Sequence, residues 1–424
     1  APDHPDLVFF PGQQQPTRVF ADASELAREL SDQWGERGDV KAFLTDEARV
    51  VRFLQAGYRA GRPPTVVDAA TELGPELAAL WITGSAKDLL DHYFTAERTK
   101  VLRGMDVSES GPVSLYEPYS AFILPMMSSG SVLGGDYGYV KGGIWKITSE
   151  LGHLNQALGV ELLLDCVVHE ADPNAGVIRC EHAGGALALH FDHLVFGTDP
   201  QTAARLTGNP ALIEHTNGEQ VLGTSGKLNL MFRQPVQWKH GGPGRESGAA
   251  FRYLFAADTL ADMEAATLAV TKGKDFAPGY FQVYAEGAAM RRMGLAEPFE
   301  RLAVFFKHLA LGQTGEQLAA VEAEVKALIL EQVANPEDCA WSRLLTPRDL
   351  QQTFGFPGGN IEHTMLVGGQ CYDNRNYAQG SKRRFYQFGD LENVSICGGI
   401  RRTKGMPEVC SVRRSEPDRP AGNS

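Results

Sequence analysis

Two polar residues late in the chain, His363 and Arg375, have side chains suited to handling a reacting substrate. An imidazole exchanges a proton near neutral pH, so His363 can receive a proton that leaves a reacting substrate. A histidine that follows an Asn-Ile pair is also compatible with a purely structural hydrogen-bonding role. Both residues are therefore candidates on residue type alone.

Glycines that precede predicted helices are the second feature with chemical meaning. Gly142 and Gly143 stand directly before a helical pattern, and a strand-to-helix turn near the end of the chain contains Gly398, Gly405, Met406 and Pro407. Without side chains, a backbone can approach a cofactor closely. N–H groups at a helix start also stabilise negative charge. An ordinary turn or helix cap explains either stretch equally well.

The sequence lacks the G-x-G-x-x-G turn, in which backbone N–H groups and a helix dipole bind a pyrophosphate. The most similar motif is formed by Gly242, Gly244 and Gly248, and its spacing is one residue longer than that of G-x-G-x-x-G. It follows residues 237–240, whose sequence is not that of a buried strand. Because clustered glycine and proline mark loops, we interpret this stretch as a surface loop.

Composition indicates an ordinary globular protein. At 424 residues the chain exceeds the roughly 250–300 residues of a single core, so it is expected to contain two or more domains. The net charge of -12 opposes binding to nucleic acid. No apolar run approaches the roughly 18 residues of a spanning helix, which predicts no transmembrane segment.

The number and spacing of the cysteines and the first residues of the chain indicate the cellular compartment of the protein. The six cysteines form no C-x-x-C pair, which predicts a reducing, cytoplasmic location and no structural zinc. The first residues lack the pattern of a signal peptide. They also lack a methionine, so we expect a processed chain or a fragment.

The pattern of elements divides the chain. A hairpin is predicted at residues 7–10 and 18–20, then a helix behind Asp22 and a helical lobe over 44–105. Apolar residues at 144–158 predict another helix. Strands are predicted at 160–168, 177–180, 193–197, 227–232, 281–285, 302–309 and 394–399, the group from 227 to 309 forming a second, mostly antiparallel sheet. Further helices are predicted at 318–328, from Thr346 and at 407–414.

Three segments resemble a known family when taken together. Residues 138–144 read G-Y-V-K-G-G-I, residues 346–363 contain T-P-x-D-L and F-G-x-x-G-G-N-I-x-H, and residues 394–407 run from a strand to a proline turn. They resemble the phytoene desaturase-like flavoproteins, particularly the branch called pyridine nucleotide-disulfide oxidoreductase domain-containing protein 2. The resemblance covers most of the chain, from about residue 5 to 414.

The resemblance implies an α/β fold, α+β overall, in which a partial FAD-binding Rossmann-type domain is interleaved with a substrate domain of helices and a mixed sheet. The implied substrate domain comprises residues 1–135 and 206–370. The implied FAD-binding domain comprises residues 136–205 and 371–414, and a flexible tail follows at 415–424.

The resemblance also implies roles for particular residues. Gly142 and Gly143 match a glycine pair near the isoalloxazine, although Trp145 replaces a usually small residue. Val168 matches a position whose backbone contacts adenine, with a buried strand valine as the alternative. The glycine turn near the C-terminus matches a helix start facing the flavin pyrimidine. There Arg401, Arg402 and Thr403 replace the family's G-T-H, and the two arginines suggest contact with the flavin phosphate.

These implications predict an FAD-dependent oxidoreductase acting on an apolar small molecule. Since the phosphate-binding turn is absent, we expect a partner polypeptide to supply it, or the chain to self-associate. The alternative is a flavin-free subunit or scaffold of a larger complex, which keeps the architecture without the cofactor.

Overall fold

The computed structural model describes residues 5–60, 64–129, 138–240, 249–374, 377 and 386–397. Its strands are β1 (Asp6–Phe9), β2 (Thr17–Val19), β3 (Cys166–Asp172), β4 (Val177–His182), β5 (Gly185–His190), β6 (Leu194–Phe196), β7 (Gly226–Phe232), β8 (Arg252–Phe255), β9 (Tyr280–Tyr284), β10 (Glu300–Phe306), β11 (Cys339–Leu345) and β12 (Val394–Ile396). Its helices are α1 (Ala23–Trp34), α2 (Val40–Arg59), α3 (Val66–Leu73), α4 (Pro75–Ala78), α5 (Ala86–Tyr93), α6 (Glu97–Gly104), α7 (Ile123–Ser129), α8 (Trp145–Ala157), α9 (Pro200–Thr207), α10 (Pro210–Asn217), α11 (Leu260–Thr267), α12 (Glu286–Arg292), α13 (Gly315–Glu331) and α14 (Pro347–Phe354).

A seven-stranded sheet in the order β11-β7-β10-β9-β8-β1-β2 forms the centre of the fold. Its neighbouring strands are antiparallel except β1 and β8, which run parallel with Leu7 opposite Arg252. The predicted N-terminal hairpin is confirmed as β1 and β2, and the predicted mostly antiparallel sheet is confirmed as β7, β9 and β10.

The two faces of this sheet differ because side chains alternate along each strand. One face is apolar and packs against α13 through residues such as Leu254, Val304 and Val325. The opposite face carries a row of cross-strand neighbours, Lys227, Phe305, Gln282 and Tyr253. We call these four residues the central row.

A helical lobe built mainly from α1 to α7 packs on the face that carries the central row. Its core joins Phe43 and Trp81, whose ring centroids lie 5.0 Å apart, to sheet residues that include Phe255 and Tyr280. The predicted N-cap Asp22 accepts hydrogen bonds from the backbone N–H groups of Ser24 and Glu25. The helical interpretation of residues 44–105 is thus confirmed.

A smaller unit combines the antiparallel sheet β3-β4-β5, the parallel pair β6 and β12, and helices α9 and α10. The predicted strand over 160–168 is wrong in its first half, since the strand begins at Cys166. Residues 160–164 are not in a ladder with any strand of the described residues, because a strand forms only where a partner backbone lies alongside.

Helix α8 is confirmed, but none of its residues is buried. Its apolar stripe continues into the chain that follows it, and together they leave a group of large apolar side chains exposed. We call this group the apolar surface; it comprises Ile144, Trp145, Ile147, Leu154, Leu158, Leu162, Leu164, Val167 and Val168. Exposure reaches 79% at Ile144 and 71% at Leu158.

Several sequence predictions fall outside the described residues. They are the loop at 242–248, the helix at 407–414 and the tail at 415–424. Within the described ranges, no helix combines the length and apolar character needed to cross a bilayer.

Two valines in helices provide a matched test of the packing between α13 and the sheet. Val325 is 0% exposed in the sheet core, whereas Val67 in α3 is 74% exposed. We expect Val325→Ala to lower the free energy of unfolding by about 1–3 kcal/mol, since it removes buried methyl groups and leaves a cavity. Val67→Ala should change that free energy by less than about 0.5 kcal/mol. Urea denaturation of both variants measures the difference, and equal losses would contradict the packing described.

Candidate functional site

The predicted glycine turn lies at one end of the sheet face that carries the central row. Tyr139, just before the turn, packs against Phe251 with ring centroids 5.1 Å apart. Phe251 in turn meets Tyr284 edge-on at 5.2 Å. The backbone N–H of Gly142 also lies 3.3 Å from Sδ of Met290 in α12. These contacts bring the turn to the end of the sheet face where Tyr284 lies.

The backbone of the turn explains why both positions are glycine. Gly142 has φ of +87° and Gly143 has φ of +104°, a region that other residues rarely adopt. A Cβ atom on Gly143 would also lie 3.0 Å from Cδ1 of Trp145. Trp145 therefore occupies the space directly beside the turn.

A buried ion pair joins the helical lobe to the same sheet face. Lys307 is 1% exposed and donates to the backbone carbonyl of Glu109 and, at 2.9 Å, to Oγ of Ser225. Its Nζ lies 3.6 Å from Oε2 of Glu109. The other oxygen of that carboxylate accepts hydrogen bonds from the Tyr280 hydroxyl at 3.2 Å and from Nε2 of Gln282 at 3.1 Å. The central row is thereby tied to residue 109.

Two tyrosines beside this network are held in the neutral form. Burial, the largest cause, raises the pKa of both Tyr253 and Tyr284 above the ordinary tyrosine value, and the charge on Glu109 acts in the same direction. The Tyr284 hydroxyl donates to Oε1 of Gln282 at 2.5 Å. Neutral hydroxyls and rings next to a carboxylate form a surface that suits a polar or cationic group more than an anion.

Asp6, at the start of β1, is a half-buried carboxyl group in the same region. Burial raises the pKa of Asp6 to about 7. Its charge contributes to the raised pKa of Tyr253 and Tyr284. Asp6 lies two residues before Val8, which is opposite Tyr253, so it is on the same face of the sheet as Tyr253. No hydrogen bond or ion pair to its side chain occurs within the described residues. A buried carboxyl group in such surroundings is a candidate functional group.

The predicted catalytic residue His363 lies in the loop after α14. It is 4% exposed, has φ of +65°, and its backbone N–H donates to the carbonyl of Asn360 at 3.0 Å. Its ring lies 4.8 Å from the ring of Phe356. The loop is fixed to the chain before β7 by the hydrogen bond from Gly223 N–H to the carbonyl of Gly358.

Val168 lies in the three-stranded sheet β3-β4-β5, whereas the glycine turn lies beside the seven-stranded sheet. It sits on β3 opposite Cys180 and is 39% exposed, so the alternative of a buried strand valine is wrong. The strand that contains it begins at Cys166 and does not include residues 159–161. The remaining predicted site residues lie outside the described part of the chain: Arg375, Gly398, Gly405, Met406 and Pro407.

Sequence reasoning missed Glu109, Lys307, Gln282 and Asp6. One signal was available, because the strand residues 280–284 alternate Tyr, Phe, Gln, Val, Tyr and so place polar groups on one face. Which residue meets Gln282 depends on the approach of a segment 173 residues away. The contact between Gln282 and Glu109 therefore could not be predicted from the local sequence pattern.

A separate open cleft of about 510 Å³ lies between the helical lobe, the end of α10 and residues 367–374. Its lining includes Glu117, His215, Glu219 and Gln220. Burial raises the pKa of Glu117, and the Tyr377 hydroxyl donates to Glu219 at 2.5 Å. This cleft is polar and lies apart from the central row.

Comparison with known sequences identifies distant relatives. No known protein-family profile matches the chain. Uncharacterized proteins of Mycobacterium tuberculosis and Mycobacterium bovis are 25% identical to it over 287 residues, which correspond to 62% of this chain and 51% of each relative. The chain thus spans about half the length of the curated relatives it matches.

Comparison with solved structures supports the fold class. Cyclohexylamine oxidase from Brevibacterium oxydans IH-35A has a TM-score of 0.51 and 12% identity, with 95% of this chain and 79% of that enzyme covered. A fatty acid isomerase from P. acnes has a TM-score of 0.37 and 11% identity, with 81% and 68% covered. The predicted α/β fold of helices and a mixed sheet is confirmed, and it is shared with an oxidase.

The raised pKa of Asp6 predicts a pH-dependent stability. Between the pKa of about 4 in an unfolded chain and that of about 7 in the folded protein, only the folded state holds the proton, so stability falls as pH rises. Asp6→Asn should therefore be near neutral at pH 4.5 and stabilising by about 1–3 kcal/mol at pH 8. Thermal or urea unfolding at both pH values measures this, with exposed Asp192→Asn as the control. A variant effect that is independent of pH would contradict burial of a titrating carboxyl group.

Proposed function

We propose that this chain is the larger part of an FAD-dependent oxidoreductase that acts on an apolar small molecule. The observation that carries the proposal is the glycine turn at 142–143, which meets the sheet face of Tyr253 and Tyr284 in a fold shared with an oxidase. The resemblance to phytoene desaturase-like flavoproteins is the reason for proposing FAD as the cofactor. A bound flavin would supply the hydride acceptor.

The residues present fit that cofactor at the turn. Gly142 and Gly143 have no side chains, which allows a flat ring to approach the backbone. Trp145 lies beside Gly143 and is 59% exposed, so its indole would move aside when the ring binds. In this proposal Val168 contacts the adenine through its backbone. Gly398, Gly405, Met406 and Pro407, which lie outside the described residues, would face the pyrimidine, as the resemblance implies.

The other residues act on the substrate. His363 would accept a proton from it and Arg375 would orient it, which are the roles proposed from their side chains. The rings of Tyr253 and Tyr284 would hold an apolar substrate body against the sheet. The helical lobe, fixed by Lys307 and Glu109, would keep water away from this face.

We further propose that a partner polypeptide carrying the dinucleotide-binding turn covers the apolar surface. Apolar residues at 144, 147, 151, 154 and 158 recur at spacings of three and four, and all of them except the half-buried Leu151 are exposed. This is the pattern of a helix packed against another layer. Residues 160–164 follow as a mainly apolar segment outside any described ladder. Strand β6 pairs, within the described residues, with β12 alone, and parallel sheets usually have more strands and both faces covered. A strand followed by a helix would satisfy these features.

The alternative is a scaffold that keeps the architecture without the flavin. The absence of a G-x-G-x-x-G turn from the sequence favours it. Both functions require the apolar surface to be covered, so the absorption spectrum distinguishes them.

The first experiment measures flavin content. The protein, copurified with any bound polypeptide, should show the visible absorption bands of a flavin. Gly143→Ala should lower flavin occupancy at least tenfold, because an alanine is strained at a φ of +104° and its methyl group would press against Trp145. Gly152→Ala, in α8 with nothing near its Cβ position, is the matched control and should keep full occupancy. A folded, colourless wild-type assembly would rule out the flavin function in favour of the scaffold.

The second experiment measures association through the apolar surface. Light scattering at micromolar concentration should show an oligomer or a complex for the wild-type chain. The double variant Leu154→Asp, Leu158→Asp should shift it to monomer, because charges on the apolar surface oppose its burial. Val67→Asp places the same charge on an exposed helix elsewhere and should leave association unchanged. A stable wild-type monomer would refute the proposed partner.

A further inference from the structure

We infer that the site recognises a cationic substrate group, a protonated amine on an apolar body, through the carboxylate of Asp6 and the rings of Tyr253 and Tyr284. This inference rests on the proposed function, because it names the substrate class for the same sheet face. It is carried by three side chains on adjacent strands.

The register places the three residues together. Tyr253 lies opposite both Val8 and Gln282, and Tyr284 is two residues beyond Gln282 on β9. Asp6 is two residues before Val8, so its side chain points to the same face. Since neighbouring strands lie about 4.8 Å apart, the three side chains span roughly 10 Å. That span suits one small ammonium group and its apolar substituent.

The charges in this region favour a cation. Asp6, Asp106 and Glu109 each act on the hydroxyls of Tyr253 and Tyr284. Lys307 is bound to Glu109 and Ser225, so its charge is directed at Glu109 and not at Asp6. An ammonium group is attracted to the face of an aromatic ring, and it would give Asp6 the ion pair that the described residues do not provide.

The opposite end of the central row carries Lys227, three strands away from Tyr253 in the sheet. Its half-buried ammonium would repel a second cation at that end. A monoamine with one charged end directed towards Asp6 therefore fits the row better than a diamine does.

The experiment compares two probes of the same shape by isothermal titration calorimetry on the purified protein with any copurified partner. Cyclohexylamine carries a positive charge at pH 7.5, whereas cyclohexanol does not. The wild type should bind the amine at least tenfold more tightly than the alcohol. Asp6→Asn should remove that preference while leaving the affinity for the alcohol unchanged. Tyr284→Leu should weaken the affinity for the amine at least threefold. The control Asp192→Asn should retain the wild-type preference.

Equal binding of the two probes, or an Asp6→Asn variant that keeps the preference, would overturn the inference. Circular dichroism of each variant confirms that it is folded, and Tyr284→Leu tests the site independently if Asp6→Asn does not fold. Flavin absorption of the same samples separates the two proposals. A yellow protein without amine preference would refute only the substrate class, and a colourless protein with the preference would refute only the flavin.

Discussion

The contact between the Lys307 ammonium and Glu109 is the interaction on which the arrangement of this molecule depends. It joins the helical lobe to the sheet across 198 residues of sequence and in a buried position. Removing one partner from such a pair leaves an uncompensated charge, which is strongly destabilising. Because the same carboxylate also accepts from Tyr280 and Gln282, it fixes which sheet residues face the lobe. The position of the candidate site follows from that contact.

Elements marked by local chemistry were predicted well from the sequence. Asp22 caps α1, and Thr346 followed by Pro347 starts α14, because a side-chain acceptor and a proline at the first turn act within four residues. The strand predicted over 160–168 failed in its first half for the opposite reason. A strand requires a partner backbone, and no local pattern specifies that partner. Periodicity identified α8 as a helix without indicating what its stripe would contact.

The candidate site could be predicted from the sequence only where a residue type by itself indicates the backbone conformation. The glycines at 142 and 143 have positive φ, which their lack of a side chain permits. His363 was chosen for its imidazole, and its buried ring against Phe356 is a property of the fold that the sequence does not contain. Asp6 escaped notice because a carboxyl group near the start of a strand is ordinary until the strands around it are known.

The parallel pairing of β1 with β8 has a consequence for how the chain reaches this structure. The pairing of Leu7 with Arg252 can form only after Arg252 has been synthesised, much later than β1. The hairpin of β1 with β2 can form as soon as β2 has been synthesised. Contacts of such long range slow folding, because the loop between them must close before they form. Until β8 is made, the edge of β1 that will pair with it is open, and shielding of that edge by a chaperone would favour correct assembly over aggregation.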